Sequence, residues 1–356
     1  MGRKIIMKTH NNLYQNIYDF ENLLLAAQKA QRGKRFEPNV MVFNHNLEGN
    51  LFKLQKELMD DTYRPGKYFS FHIHEPKKRM ISAAPYRDRV VHHALCNVIE
   101  PIYEKTFIYD SYACRKGKGT HKAILRFSEY CRANKYALKC DIKKYFPSID
   151  HEILKSLIRR KIACKQTLAL IDRIIDNSNE QEVNNEYFPE DLLFTPWERR
   201  KGIPIGNLTS QFFANIYLNG LDHFVKENLL CPCYIRYCDD FVLFSDDKTQ
   251  LNSWRKAIME YLQTIRLKMH QNKAQVVPVE NGVTFLGLRI FPAYRRLAKN
   301  NLVTARRRFK RLKKTLLHGE TDLAKCRNSI MAWFGHAQWA NTYLLRQKIA
   351  AEWGLV

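Results

Sequence analysis

No two cysteines in this sequence stand in Cys-x-x-Cys spacing. The nine present are scattered from Cys96 to Cys326, and Cys231-Pro232-Cys233 is their one close pair. An odd number without a framework argues against a disulfide scaffold and against structural zinc. Reduced thiols in a cytoplasmic chain are the expectation. Long apolar runs are also missing. Nothing approaches the roughly 20 residues that span a bilayer. The opening Met1 to Lys8 holds no signal-peptide core, and Ile6 breaks the myristoylation pattern. No membrane partner is expected. The Gly-rich stretch Tyr112 to Thr120 lacks P-loop spacing. Acids are few beside the bases: 35 Asp and Glu against 59 Lys and Arg in 356 residues, a net charge of +24. That excess points to a polyanionic partner, most simply nucleic acid. Hydrophobic residues make up 45%, which excludes a disordered tail and allows two or three domains. No repeat or low-complexity segment interrupts them.

Against this shortage, one stretch places two acids side by side. In Tyr234-Ile235-Arg236-Tyr237-Cys238-Asp239-Asp240-Phe241-Val242-Leu243-Phe244, β-forming residues flank Asp239 and Asp240, so the segment reads as a hairpin with acids at its tip. Such a pair suits either a solvated turn or a divalent-cation site. A third carboxylate decides between them. Tyr136 to Ile142 alternates as a strand and ends in Asp141. Asp150, by contrast, precedes the helix of Leu154, Leu157 and Ile158 and reads as its N-cap. Asp141 has no such role and is taken as the third acid. Asp246 and Asp247 fall beyond the second strand and read as a solvated turn.

The rest of the chain alternates. Residues 10–60 read as helical. Tyr68 to His74 and Met80 to Ala83 read as strands around the basic turn Lys77-Lys78-Arg79. Helices are expected over 86–106 and from His121 to about Asn134. A further helix and a polar loop, Asn177 to Pro189, lie within 165–200. The constrained turn Gly202-Ile203-Pro204-Ile205-Gly206 feeds an apolar helix. Trp254 to Leu267 is expected as a helix and Phe285 to Ile290 as a strand. This is an α+β pattern around a mainly antiparallel sheet. No acid occurs between Glu280 and Glu320. There Ala305, Phe309, Leu312 and Leu316 form a helical stripe that leaves Arg306, Arg307, Lys310, Arg311 and Lys314 on the other faces as candidate nucleic-acid contacts. Ile330 to Ala350 is again helical. In the Gly-rich stretch, Arg115 suits either a phosphate contact or an ordinary turn.

Three carboxylates at strand ends in a basic protein suggest two-metal phosphoryl transfer with two Mg²⁺ ions. A nuclease would use similar acids, and the order of motifs separates the two. That order resembles the reverse transcriptases. Tyr237-Cys238-Asp239-Asp240 is similar to their Tyr-x-Asp-Asp box. Asp141, with Phe146 five residues on, is similar to the preceding metal-binding motif and its aromatic sugar gate. The resemblance implies Asp141, Asp239 and Asp240 as catalytic, with Ile142 beside them at the metal. It implies Lys77 and Arg79 at the triphosphate and Phe146, Ile205, Gly206 and Gln211 facing the nucleotide. Lys273 is implied as a proton donor to pyrophosphate. It also implies a right-hand polymerase: fingers within 1–135, an antiparallel palm over 136–292 with 160–210 partly returning to the fingers, and a basic helical thumb over 293–356. Phe285-Leu286-Gly287 resembles the primer-grip hairpin. RNA template, DNA primer and dNTPs are the implied partners.

Within that family, Ile205 to Gln211, Arg87 to Leu95 and Trp333 to Ala340 resemble the enzymes of diversity-generating retroelements. Those enzymes copy a template-repeat RNA with errors at adenines, beside a small basic helical accessory protein. The alternatives are a retron-like or group II intron-like enzyme, or a non-catalytic RNA-binding protein of the same fold. Ile205 can neither donate nor accept a hydrogen bond through its side chain, which offers a physical route to low fidelity. Plain packing beside the turn is the competing account.

Overall fold

The computed structural model describes residues 8–74, 78–179, 181–182 and 184–354. The N-terminal region is four helices: α1 Tyr14–Tyr18, α2 Phe20–Ala30, α3 Pro38–His45 and α4 Leu47–Met59. Asp19 accepts from the Asn22 amide and starts α2. The helices pack on α5, Tyr86–Glu104, whose Val90, Val91, Ala94, Leu95 and Ile99 are fully buried. Between them a hairpin, β1 Phe69–Ile73 and β2 Arg79–Ala83, projects with Phe69 and Phe71 exposed. Glu75, Pro76 and the anticipated Lys77 lie outside the described residues.

The central sheet has four antiparallel strands in the order β4-β5-β3-β6: β3 Tyr136–Asp141, β4 Tyr234–Tyr237, β5 Asp240–Ser245 and β6 Gln275–Pro278. Side chains alternate between faces along a strand, and here both faces are covered. Leu138, Cys140, Phe241 and Leu243 join the large helical core. Ala137, Ile235, Val242 and Phe244 join a second core with Phe127 of α6, Thr120–Ala133. This double burial explains why the acid-tipped hairpin reads as near-continuous apolar sequence.

The short α7 Tyr145–Ser148 leads to α8 His151–Arg159, α9 Lys165–Asp176 and α10 Thr195–Glu198. Asp150 accepts from the amides of Glu152 and Ile153 and caps α8 as expected. α11 Leu208–His223 and α12 Lys248–Thr264 lie in the helical core. Asp247 accepts from the Thr249 amide, so α12 starts six residues earlier than the sequence pattern suggested. Asp246 accepts from the Lys135 amide. The second acid pair thus has structural roles.

Phe285 to Ile290 is not one strand. Leu286 and Gly287 both have positive φ, 46° and 81°, and turn the chain between β7 Val283–Phe285 and β8 Leu288–Ile290. β9 Arg295–Leu297 completes that sheet. The C-terminal helices are α13 Lys299–Leu317, α14 Leu323–Ala337 and α15 Tyr343–Glu352. Ala305, Phe309, Ile330 and Ile349 form their small core. No helix of the described residues is long and apolar enough to cross a membrane.

Candidate active site

β3 and β5 pair so that Asp141 stands directly opposite Asp240. Facing residues of an antiparallel pair have Cα atoms about 4.5–5.5 Å apart, and like charges there repel. Asp239 lies next to Asp240 in the two-residue tip between Tyr237 and Asp240, which pair across the hairpin. The structure therefore gathers the three acids chosen from the sequence. Burial, with Asp239 and Asp141 beside it, pushes the Asp240 carboxyl up to about 6. Burial, with Asp141 beside it, also raises Asp239, and Arg79 offsets a small part of that rise. Arg79 thus lies where its charge is felt at the acid tip.

The backbone around Asp141 is fixed from the far side. The His270 amide donates to the Asp141 carbonyl at 2.7 Å, Ile142 bridges Met269, and the Lys143 amide donates to the Lys268 carbonyl at 2.8 Å. The Ile142 side chain is buried in the core, so a cation could meet only its carbonyl. Lys273 donates to the Asp141 carboxylate. Among the described residues no three acids, histidines or cysteines stand in a ready-made metal cage. Mg²⁺ does not require one. It binds through one or two carboxylates, completed by water and substrate phosphates. An all-oxygen donor set whose like charges are held together fits that ion, with Asp141, Asp239 and Asp240 as the groups to hold it.

This arrangement links cation binding to pH. Between the ordinary Asp value and about 6, folded Asp240 keeps a proton that the unfolded chain releases. Without a cation, fold stability from this group is present at low pH and is lost as pH rises through about 6. A cation offsets the loss only where Asp240 is ionised. Mg²⁺ should therefore raise the unfolding temperature more at pH 7.5 than at pH 5. Equal shifts at both values in a thermal-melt series would contradict this.

Hydrogen bonds join the candidate nucleotide-binding residues to one another and to β2. The Ser82 amide of β2 donates to the Ile205 carbonyl at 2.9 Å, and Asn207 donates to the Ser82 carbonyl at 2.8 Å. The Ile203 amide donates to the Phe146 carbonyl at 3.0 Å. Arg79, Phe146, Ile205 and Gly206 thus belong to one connected layer. Gly206 has φ 120°, and a Cβ there would come within 2.9 Å of Ile81, so glycine is required at this turn. Gln211 is exposed on the first turn of α11.

One family matches residues 73–290, more than half of the chain, and is described as "Reverse transcriptase (RNA-dependent DNA polymerase)". The chain belongs to that family. Protein YkfC of Escherichia coli (strain K12) is 24% identical over 291 residues, 70% of this chain and 74% of YkfC. The group II intron-encoded protein LtrA of Lactococcus lactis subsp. cremoris is 27% identical over 186 residues, 51% of this chain and 29% of LtrA. The chain thus spans most of YkfC but under a third of LtrA. Among solved structures, apo telomerase from Candida tropicalis aligns with a TM-score of 0.47 at 14% identity, covering 64% of this chain and 48% of that one.

In this reverse transcriptase the four-stranded sheet is the palm. The thumb candidates Arg306, Arg307, Lys310, Arg311 and Lys314 all lie exposed on α13, while Ala305 and Phe309 face inward. Arg115 requires a correction. Its guanidinium is 5% exposed and binds Glu104, with further bonds to the carbonyls of Ile108 and Ser111. It secures the turn after α5 and is not presented to a phosphate. The segment Trp333 to Ala340 meets the palm side: Trp339 stacks on His121 at 4.2 Å.

Sequence reasoning passed over Arg236 and Asp222. Both are fully buried and paired at 2.6 Å beneath the acid turn. The available signal was a lone cation in a strand whose other residues are apolar or aromatic.

Proposed function

We propose that the chain copies RNA into DNA by metal-assisted nucleotidyl transfer at Asp141, Asp239 and Asp240. The observation that carries this is the β3–β5 register, which sets Asp141 against Asp240 with Asp239 at the adjoining tip. Mg²⁺ held there would help ionise the attacking hydroxyl and stabilise the leaving oxygen. The chain's own residues supply the placement. Arg79 brings positive charge toward the acids, Gly206 permits close backbone approach, and Phe146 lies in the layer where the sugar would sit. Lys273 holds Asp141 by its carboxylate, and on this reading it turns to the phosphates when a cation takes its place. The exposed cations of α13 suit the backbone of a template–primer duplex. The test is dNTP addition to a primer annealed to RNA, with and without Mg²⁺. Extension on RNA that stops with EDTA supports the reading, and extension that persists in EDTA rejects it.

Within the family we favour the diversity-generating type, with a template-repeat RNA and a small basic helical partner protein. Its support is the Ile205 to Gln211 sequence, together with Arg87 to Leu95 and Trp333 to Ala340. Ile205 lies half-buried in the nucleotide-facing layer, without a polar side-chain group. Replacing it by Gln should restore a contact worth about 1 kcal/mol, or roughly fivefold in discrimination opposite adenine. Sequencing of cDNA from Ile205→Gln checks this, and an error spectrum identical to the wild type's would reject it. The similarity to LtrA favours a second reading, an intron-type enzyme of even fidelity. Wild-type errors spread evenly over all four template bases would select that reading.

A further inference from the structure

Cys238, the first residue of the acid tip, has φ 59°. Side chains other than glycine rarely adopt that conformation, so something outside the turn must hold it. The buried guanidinium of Arg236 is placed to do so. Its Nη1 donates to the Cys238 carbonyl at 3.1 Å and to Asn215 Oδ1 at 3.1 Å. Its Nε and Nη2 donate to the two oxygens of Asp222 at 2.7 and 2.6 Å. Tyr234 adds a bond to Asp222 at 2.8 Å. Asn215 in turn donates to the Ala113 carbonyl at 2.9 Å. The Arg236 amide and carbonyl are tied to Asp110 and Tyr112.

We infer that Arg236 is a positioning residue which, anchored by Asp222 and Asn215 of α11, fixes the Cys238-Asp239 turn so that Asp239 is aimed for cation binding. Both anchors belong to the helix whose first turn carries Gln211. The metal-holding tip and the nucleotide-facing turn are therefore set by one rigid element. A planar guanidinium can grip a carboxylate with two nitrogens and still reach the turn with the third; an ammonium cannot. The inference rests on the proposed reading of the acids as metal-holding. Partners that orient metal-binding groups typically change affinity about 10- to 100-fold when removed.

The test is Mn²⁺ binding to the full chain, followed by electron paramagnetic resonance, with no dependence on turnover. Arg236→Lys keeps the charge beside Asp222 but gives up the bond to Cys238. It should weaken Mn²⁺ binding about tenfold or more, with primed-RNA binding in the absence of metal unchanged. Wild-type Mn²⁺ affinity in folded Arg236→Lys would overturn the inference. If that variant does not fold, Asn215→Ala decides. A several-fold weaker Mn²⁺ affinity at an unchanged unfolding midpoint supports the inference, and an unaltered affinity overturns it. Wild-type protein that binds no Mn²⁺ overturns the reading of the acids, and this inference with it.

Discussion

Asp239→Asn should lower single-nucleotide incorporation on a primed RNA by about 10²–10³-fold, equivalent to about 3–4 kcal/mol of transition-state stabilisation. The amide keeps the side chain's shape and removes its charge. The chain's own electrostatics make the loss separable from misfolding. Asp239 is held above its ordinary pKa by burial and by Asp141, so its ionised form is a burden on the cation-free fold. The Asn variant should then melt at the same temperature as the wild type or higher. Binding of primed RNA without metal should stay within about twofold, because the contacts proposed for α13 are untouched. A variant that loses activity and stability together would point to a structural role for Asp239.

The second large effect concerns stability. Asp222→Ala leaves the Arg236 guanidinium, 0% exposed, without its carboxylate. Breaking one side of a buried pair costs about 3–5 kcal/mol, because a charge stays buried and unmatched. The unfolding midpoint in urea should fall accordingly. Replacing both residues by apolar ones, Asp222→Leu with Arg236→Met, should recover much of that loss, since well-packed hydrophobic replacements of buried pairs are often neutral. The double variant still lacks the donor to Cys238. It should regain much of its midpoint without regaining tight Mn²⁺ binding. An Asp222→Ala midpoint equal to the wild type's would show that the pair contributes little to the fold.

Much of this architecture was legible in the sequence for local reasons. Asp141 could be separated from Asp150 because one ends a strand and the other precedes a helix, and the structure gives them those places. The acid hairpin was readable because its strands are buried on both faces and so carry a dense β-forming pattern. What escaped depended on partners that lie on other elements, which a local pattern does not name. Arg115 beside glycines looks like a phosphate contact, but Glu104, at the end of α5, claims it. Leu286-Gly287 sits inside an apolar run whose pattern reads as one strand, though the resemblance implied a hairpin there, and the turn lets β8 pair with both β7 and β9. Arg236 sits in a short apolar strand, and its meaning comes from Asp222 and Asn215 on another element. Lys273, which the resemblance places toward the nucleotide, donates to the Asp141 carboxylate. Repulsion among the three acids gives that contact its physical reason.

The central claim is that Asp141 of one strand and Asp239 of the hairpin act as a unit. A double-mutant cycle on single-turnover incorporation tests it most directly. If both hold the same catalytic cations, Asp141→Asn, Asp239→Asn and the double variant should all lose activity to a similar extent, as groups that work together are strongly non-additive. Losses that multiply in the double variant, or near-wild-type incorporation by either single variant, would contradict it.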